Sequence, residues 1–202
     1  MPDVDKLLQA SPGAAMAHFE RAKILLRKDD KREARISLLE AIKLAPEFVQ
    51  AKMILASVEL ELGNDMAAMK LAEELQRSHK EFAAGYVVAG DVYMKQKAYK
   101  KAQNAFVMAF ERAPNGVIAG KVSAAYQMTK DSKLAADLFK SQLEKQDDPD
   151  IRLALALSLH MSGQIELAGG EYKLVLQLQP NQLIPLNNLA TLYQEVDLAG
   201  AK

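Results

Sequence analysis

The chain has 202 residues, half of them apolar, with 26 basic side chains balanced by 26 acidic ones. That length and apolar share suffice for a buried core, while a charge-balanced surface offers no concentrated basic face to a nucleic-acid backbone. With no cysteine, disulfides, thiolate zinc sites and thiol nucleophiles are excluded.

Ala, Leu, Lys, Glu and Gln dominate and Gly and Pro are scarce, so the chain reads as all-α. The start, Met1-Pro2-Asp3-Val4-Asp5-Lys6, is no signal peptide. No apolar run approaches the roughly 18 residues of a membrane-spanning helix. Leu7–Ser11 reads as the end of a helix closed by Pro12. Pro46 follows 34 residues later, Pro114 stands 68 beyond Pro46, and Pro180 a further 66 on. A period near 34 is the mark of a helix-turn-helix array. It predicts a preceding tail over 1–14, then helical hairpins at 15–48, 49–82, 83–115, 116–148 and 149–182. Residues 183–202 open a sixth hairpin whose second helix is missing.

The third hairpin is the clearest. Ala83 to Gln96 places Tyr86, Ala89, Gly90 and Tyr93 on one helical face. Tyr99 to Arg112 turns Ala102, Phe106 and Ala109 inward and stops before Pro114. The second hairpin has Lys80 where a proline is expected. The fourth ends in Gln146-Asp147-Asp148-Pro149, which predicts altered packing around 115–149. No polar capping helix is visible at either end. The chain therefore reads as an excerpt of a longer array, with apolar ends expected to pair with another copy.

Little points to chemistry. His18, His79 and His160 fall at unrelated repeat positions, so no metal site is expected. Glu73-Glu74 and Asp147-Asp148 read as solvated acids, and Gly169-Gly170 as close helix packing or a kink. No cofactor and no catalytic residue are expected.

The recurring set resembles the tetratricopeptide repeat family. The third repeat carries Gly90, Tyr93, Ala102, Phe106, Ala109 and Pro114, and the first carries Ala22, Ala34, Ala41 and Pro46. The second keeps Leu55, Ala56, Gly63 and Ala68, the fourth Tyr126, Ala135 and Phe139. The fifth keeps Leu155, Ala156, Gly163, Ala168, Tyr172 and Pro180. The resemblance implies a right-handed superhelical solenoid of antiparallel helix pairs. It also implies a concave, non-catalytic protein-binding groove lined by first helices.

Carried onto this chain, the groove comprises Phe19, Lys23, Leu26 and Arg27, then Met53, Ser57 and Leu60, then Val87, Asp91 and Met94. Leu153, Leu157 and His160 follow, then Asn187 and Thr191. The Lys/Asn/Arg clamp of the chaperone-binding members is absent. The stretch from Arg152 to Tyr193 is similar to bacterial lipoproteins associated with PEP-CTERM/exosortase sorting. That likeness implies a role in surface-protein sorting or exopolysaccharide export, and a periplasmic or outer-membrane-anchored location; without it the location expected is cytoplasmic. The expected partner is a protein or peptide, with no nucleic acid and no membrane insertion. The alternatives are a structural spacer or self-assembly element, and a substrate-recruiting arm of a larger enzyme.

Overall fold

The computed structural model describes residues 14–200, with side chains as far as Gln194. The helix tail expected at Leu7–Ser11, and Pro12 with it, lies outside the described residues. Among the described residues there are eleven helices and no strand. They form two compact units that divide between Gln96 and Lys97. The first holds α1 (Ala15–Arg27), α2 (Lys31–Leu44), α3 (Val49–Glu61), α4 (Asp65–Ser78) and α5 (Ala84–Lys95). The second holds α6 (Tyr99–Arg112), α7 (Gly116–Met128), α8 (Ser132–Leu143), α9 (Pro149–Met161), α10 (Ile165–Leu178) and α11 (Leu183–Gly200).

Each second helix buries a small residue in its first turns, because only a methyl fits between paired backbones. Ala34, Ala68, Ala102, Ala135 and Ala168 are all fully buried and recur at 33–34 residues. One turn further on, Leu38, Ala72, Phe106, Phe139 and Tyr172 fill the space beside them and are at most 1% exposed. Gly85 marks a close approach of α5 to α4 in the first unit. A Cβ there would lie 2.7 Å from the Gln76 nitrogen and 2.8 Å from the Ala72 carbonyl. Gln76 Nε2 donates to the Gly85 carbonyl across the same contact, at 3.0 Å.

The turn inside each hairpin is set by one residue in the left-handed region. Asp29, Gly63, Lys97, Lys130 and Gly163 have φ of 60°, 86°, 59°, 61° and 79°, again at steps of 33–34 residues. Such a residue lets the next amide fold back on the helix just ended. The Asp30, Asn64, Asp131 and Gln164 amides donate to the carbonyls of Leu25, Glu59, Tyr126 and Leu159 at 2.7–3.0 Å. The Asp30 carboxylate then caps α2 by accepting from the Glu33 amide at 3.2 Å.

The turns between hairpins use extended backbone. Ala45, Ala113 and Gln179 have φ of −135°, −145° and −139°, the region that a following proline favours. His79 adopts the same conformation, φ −139°, although Lys80 follows it. Its ring stacks on Phe82 at 5.4 Å, and its Nε2 lies 3.1 Å from the Glu47 carboxylate. The fourth hairpin departs from this pattern. Ala41, Leu75, Ala109 and Val175 are buried, but Gln142 holds the equivalent place and is half-buried. There α8 ends at Leu143, Glu144 stays helical, and Pro149 opens α9 instead of closing α8. The Asp148 carboxylate caps α9 by accepting from Asp150 and Ile151 amides at 2.9 and 3.0 Å. The irregularity expected around 115–149 takes the form of this longer turn. Phe139 itself is fully buried and meets Phe110 edge-on at 5.4 Å.

The two cores differ in chemistry. In the first unit Phe19 packs on Phe48 at 4.7 Å beside Ala22, Leu25, Leu38, Leu55 and Val58. Two ionic side chains enter this core. Glu59 accepts from Arg35 Nε and Asn64 Nδ2, both at 2.7 Å. Lys52 donates to Glu74 at 2.6 Å. The second unit is aromatic, with Phe106, Phe110, Phe139 and Tyr172 buried. Its Ser123 and Ser158 hydroxyls bond each other at 3.1 Å between α7 and α9. The close packing or kink expected at Gly169-Gly170 is not found. A Cβ at Gly169 would meet Leu189 and Leu192 at an ordinary 3.9 Å, Gly170 faces open space, and α10 runs unbroken.

Candidate protein-binding groove

In the first unit, the first helices α1, α3 and α5 present an open groove of 520 Å³. Its floor is apolar: Leu26 from α1, Met53, Ile54, Val58 and Leu60 from α3, and Val87 and Val88 from α5. Polar groups stand among and around these side chains, namely Asp29, Lys31, Ser57, Glu61 and Asp91. Helical spacing explains the floor. Met53, Ser57 and Leu60 fall on one face of α3 at steps of four and three residues, and Val87 and Asp91 at a step of four on α5.

The C-terminal end of α3 is pinned electrostatically. Lys31 Nζ lies 3.0 Å from the Asp29 carboxylate and 3.0 Å from that of Glu61. Hydrogen bonds to Asp29 first and Glu61 second hold the ammonium above its ordinary pKa. Lys95 donates to the Leu60 carbonyl and to Asp65 at 2.6 Å. A cation at a helix C-terminus meets both free carbonyls and the negative end of the dipole.

Of the expected groove residues, the structure gathers Leu26, Met53, Ser57, Leu60, Val87 and Asp91 into this one site. Phe19 is corrected: it is 8% exposed, turned into the core against Phe48, because α1 buries that face against its neighbours. Lys23 covers the edge of that core, 5.5 Å above the Phe19 ring and paired to Glu20 at 2.9 Å. Arg27 is exposed in the last turn of α1 and Met94 half-buried on α5; neither lines the groove. Asp29, Lys31, Ile54, Val58 and Val88 line it without having been expected there. The recurring turn position shared by Asp29 and Gly63 is the sequence signal that points to Asp29.

In the second unit, Leu153, Leu157 and His160 are half-buried along α9, with the His160 ring edge-on to Tyr172 at 6.4 Å. Asn187 and Thr191 are exposed on α11, where Thr191 Oγ1 donates to the Asn187 carbonyl at 3.0 Å. A separate groove of 340 Å³ lies between α10 and α11, and includes Ile165, Gly169, Leu189, Leu192 and Tyr193. Burial pushes the Tyr172 phenol up to about 12, with the Asn188 side chain acting against it.

Among the described residues, no cluster of His, Asp and Glu has the geometry to hold a metal ion. Nor is any described helix long and apolar enough to cross a membrane.

Residues 2–47 and 20–81 match the family model described as tetratricopeptide repeat. Over 75 residues, 36% of the chain, the sequence is 35% identical to the human protein O-mannosyl-transferase TMTC3; the match spans 8% of that protein's length. TTC0263, a tetratricopeptide repeat protein of Thermus thermophilus, has a similar structure. Its TM-score is 0.65 at 20% identity, covering 90% of this chain and all of that one. The fold is also similar to that of YrrB, described as a tetratricopeptide repeat protein with an unusual peptide-binding site. There the TM-score is 0.53 at 16% identity, covering 92% of this chain and 96% of the other. Arrays of this kind are in general protein-interaction scaffolds. By sequence, then, residues 2–81 match the tetratricopeptide repeat model, and by fold the chain is similar to tetratricopeptide repeat structures.

Proposed function

We propose that this chain is a non-catalytic binding module, and that the groove on α1, α3 and α5 holds a peptide segment of a partner protein. The observation that carries the reading is the groove itself: an open apolar floor with polar groups around it, built from first helices. Apolar floor area supplies affinity, and the polar groups set the register of the bound segment. Met53 adds an adaptable thioether that accommodates more than one side-chain shape.

The test is selection of random peptides displayed on phage against the immobilised protein, followed by anisotropy titration of the enriched sequences. Ser57 is exposed within the groove, so Ser57→Arg fills the site without disturbing the core. Enriched peptides are expected to lose about tenfold or more in affinity to Ser57→Arg. They are expected to bind Met66→Arg, on the exposed start of α4, as well as the native protein. Peptides indifferent to Ser57→Arg, or a selection that enriches none, overturn the reading.

A second reading has one observation in its favour. The 75-residue match is to a protein named as a transferase, of which it spans 8%. On that reading the groove recruits a substrate for a catalytic domain elsewhere in a longer protein.

A further inference from the structure

Helix α10 carries an apolar stripe left open to solvent. Leu167, Gly170, Leu174 and Leu178 follow one another at steps of three and four residues, so they share one side of the helix. The three leucines are 41–53% exposed, and a Cβ on Gly170 would meet nothing within 4 Å. Along the flank of this stripe that faces α11 stand two exposed charges of opposite sign, Glu166 and Lys173. They are seven residues apart, about 10 Å along the helix, too far to pair with each other. Lys173 Nζ lies 5.7 Å from the centre of the Tyr193 ring, and neither charge forms an ion pair among the described residues.

This face is complementary to itself. An antiparallel copy of α10, turned about a two-fold axis at Gly170, brings Glu166 beside the second copy's Lys173 on one flank. On the other flank it brings Leu167 beside the second copy's Leu174. The rotation makes each pair twice, as an interface between identical surfaces requires. Gly170 stands at the crossing, where no side chain holds the two backbones apart. Within its own chain nothing requires a glycine there, and glycine is a poorer helix former than alanine. We infer that a second copy of this chain docks on this face, α10 against α10 and antiparallel, with Glu166 and Lys173 setting the register. The inference does not rest on the peptide-groove reading. A contact of one helix from each copy is at the small end of protein interfaces, so the association is weak and reversible.

Sedimentation velocity of the whole chain over a concentration series tests this. The native protein is expected to show a monomer–dimer equilibrium. Glu166→Lys and Lys173→Glu each set like charges against one another at both ends of the contact, and each alone is expected to weaken the dimer about tenfold or more. Mixing the two variants restores opposite charges at both ends, so the mixture is expected to dimerise about as well as the native protein. Gly170→Gln fills the crossing without meeting anything in its own chain and is expected to remain monomeric. Circular dichroism checks that each variant keeps its helices. A native chain that stays monomeric up to about 1 mM overturns the inference. So does a dimer indifferent to the charge reversals, whose contact must lie elsewhere, or a mixture no more associated than its two components.

Discussion

Glu59 and Leu159 occupy equivalent places in the last turns of α3 and α9, yet one is a buried carboxylate and the other a buried hydrocarbon. In the first unit Glu59 is 2% exposed and is held by Arg35 from α2 and Asn64 from the following turn. In the second unit Leu159 is 1% exposed and needs no partner. Lys52, with its bond to Glu74, extends the ionic pattern of the first unit, while the second relies on aromatic rings and a hydroxyl pair. One backbone template thus accepts either solution. A charge at a core position demands a partner placed by another helix, since an unpaired buried ion costs several kcal/mol.

The largest effect is expected from breaking the ionic solution on one side only. Arg35→Ala leaves the Glu59 carboxylate with Asn64 alone, and should lower stability by roughly 1–3 kcal/mol in urea denaturation. Glu59→Leu copies the second unit and frees Arg35, which is partly exposed, to reach water. It should be near neutral or mildly stabilising. Equal losses from the two variants would mean that the pair stabilises the first unit directly, and the contrast with Leu159 would fail.

The turns give the next effect. Each unit has one glycine at the left-handed position, Gly63 in the first and Gly163 in the second, while Asp29 in the first and Lys97 and Lys130 in the second hold it with a side chain. Gly63→Ala should cost about 1 kcal/mol, and Lys97→Gly or Lys130→Gly should gain about as much, because a Cβ is disfavoured in that region. Thermal melts of the three single variants measure this. A melting temperature that moves the same way in all three would count against the turn as the cause.

The smallest effect at neutral pH, and one specific to the second unit, belongs to Tyr172. Burial holds its phenol up to about 12, whereas an unfolded tyrosine ionises near about 10. Below pH 10 neither state ionises and stability is unaffected. Between pH 10 and 12 the unfolded chain loses the proton first, so the native state loses ground as pH rises. Burial also raises the Tyr126 phenol. Tyr172→Phe should leave neutral stability within about 0.5 kcal/mol and remove part of the alkaline loss. An unchanged alkaline profile in urea melts would show that Tyr172 is not its source.

The period near 34, the row from Ala34 to Ala168 and the proline-led turns are legible in the sequence because each acts over a few residues. Helical spacing sets which side chains share a face, and a proline biases the residue before it whatever surrounds them. His79 shows where that reading falls short: the turn keeps its shape without a proline. Phe19 shows it more sharply. Its spacing on α1 matches that of a groove residue, but Phe48, nearly thirty residues on, decides that it is core. Asp29 and Lys31 look like an ordinary charged turn until Glu61 closes on them from α3.

By itself, then, the sequence determined the hairpins, their spacing and the inward faces of the second helices, since these follow from local backbone preference and residue size. The tertiary structure alone decided which first-helix side chains stay open and which charges are buried with partners. Those properties depend on distances between residues far apart in the chain, and packing fixes such distances only when the helices meet.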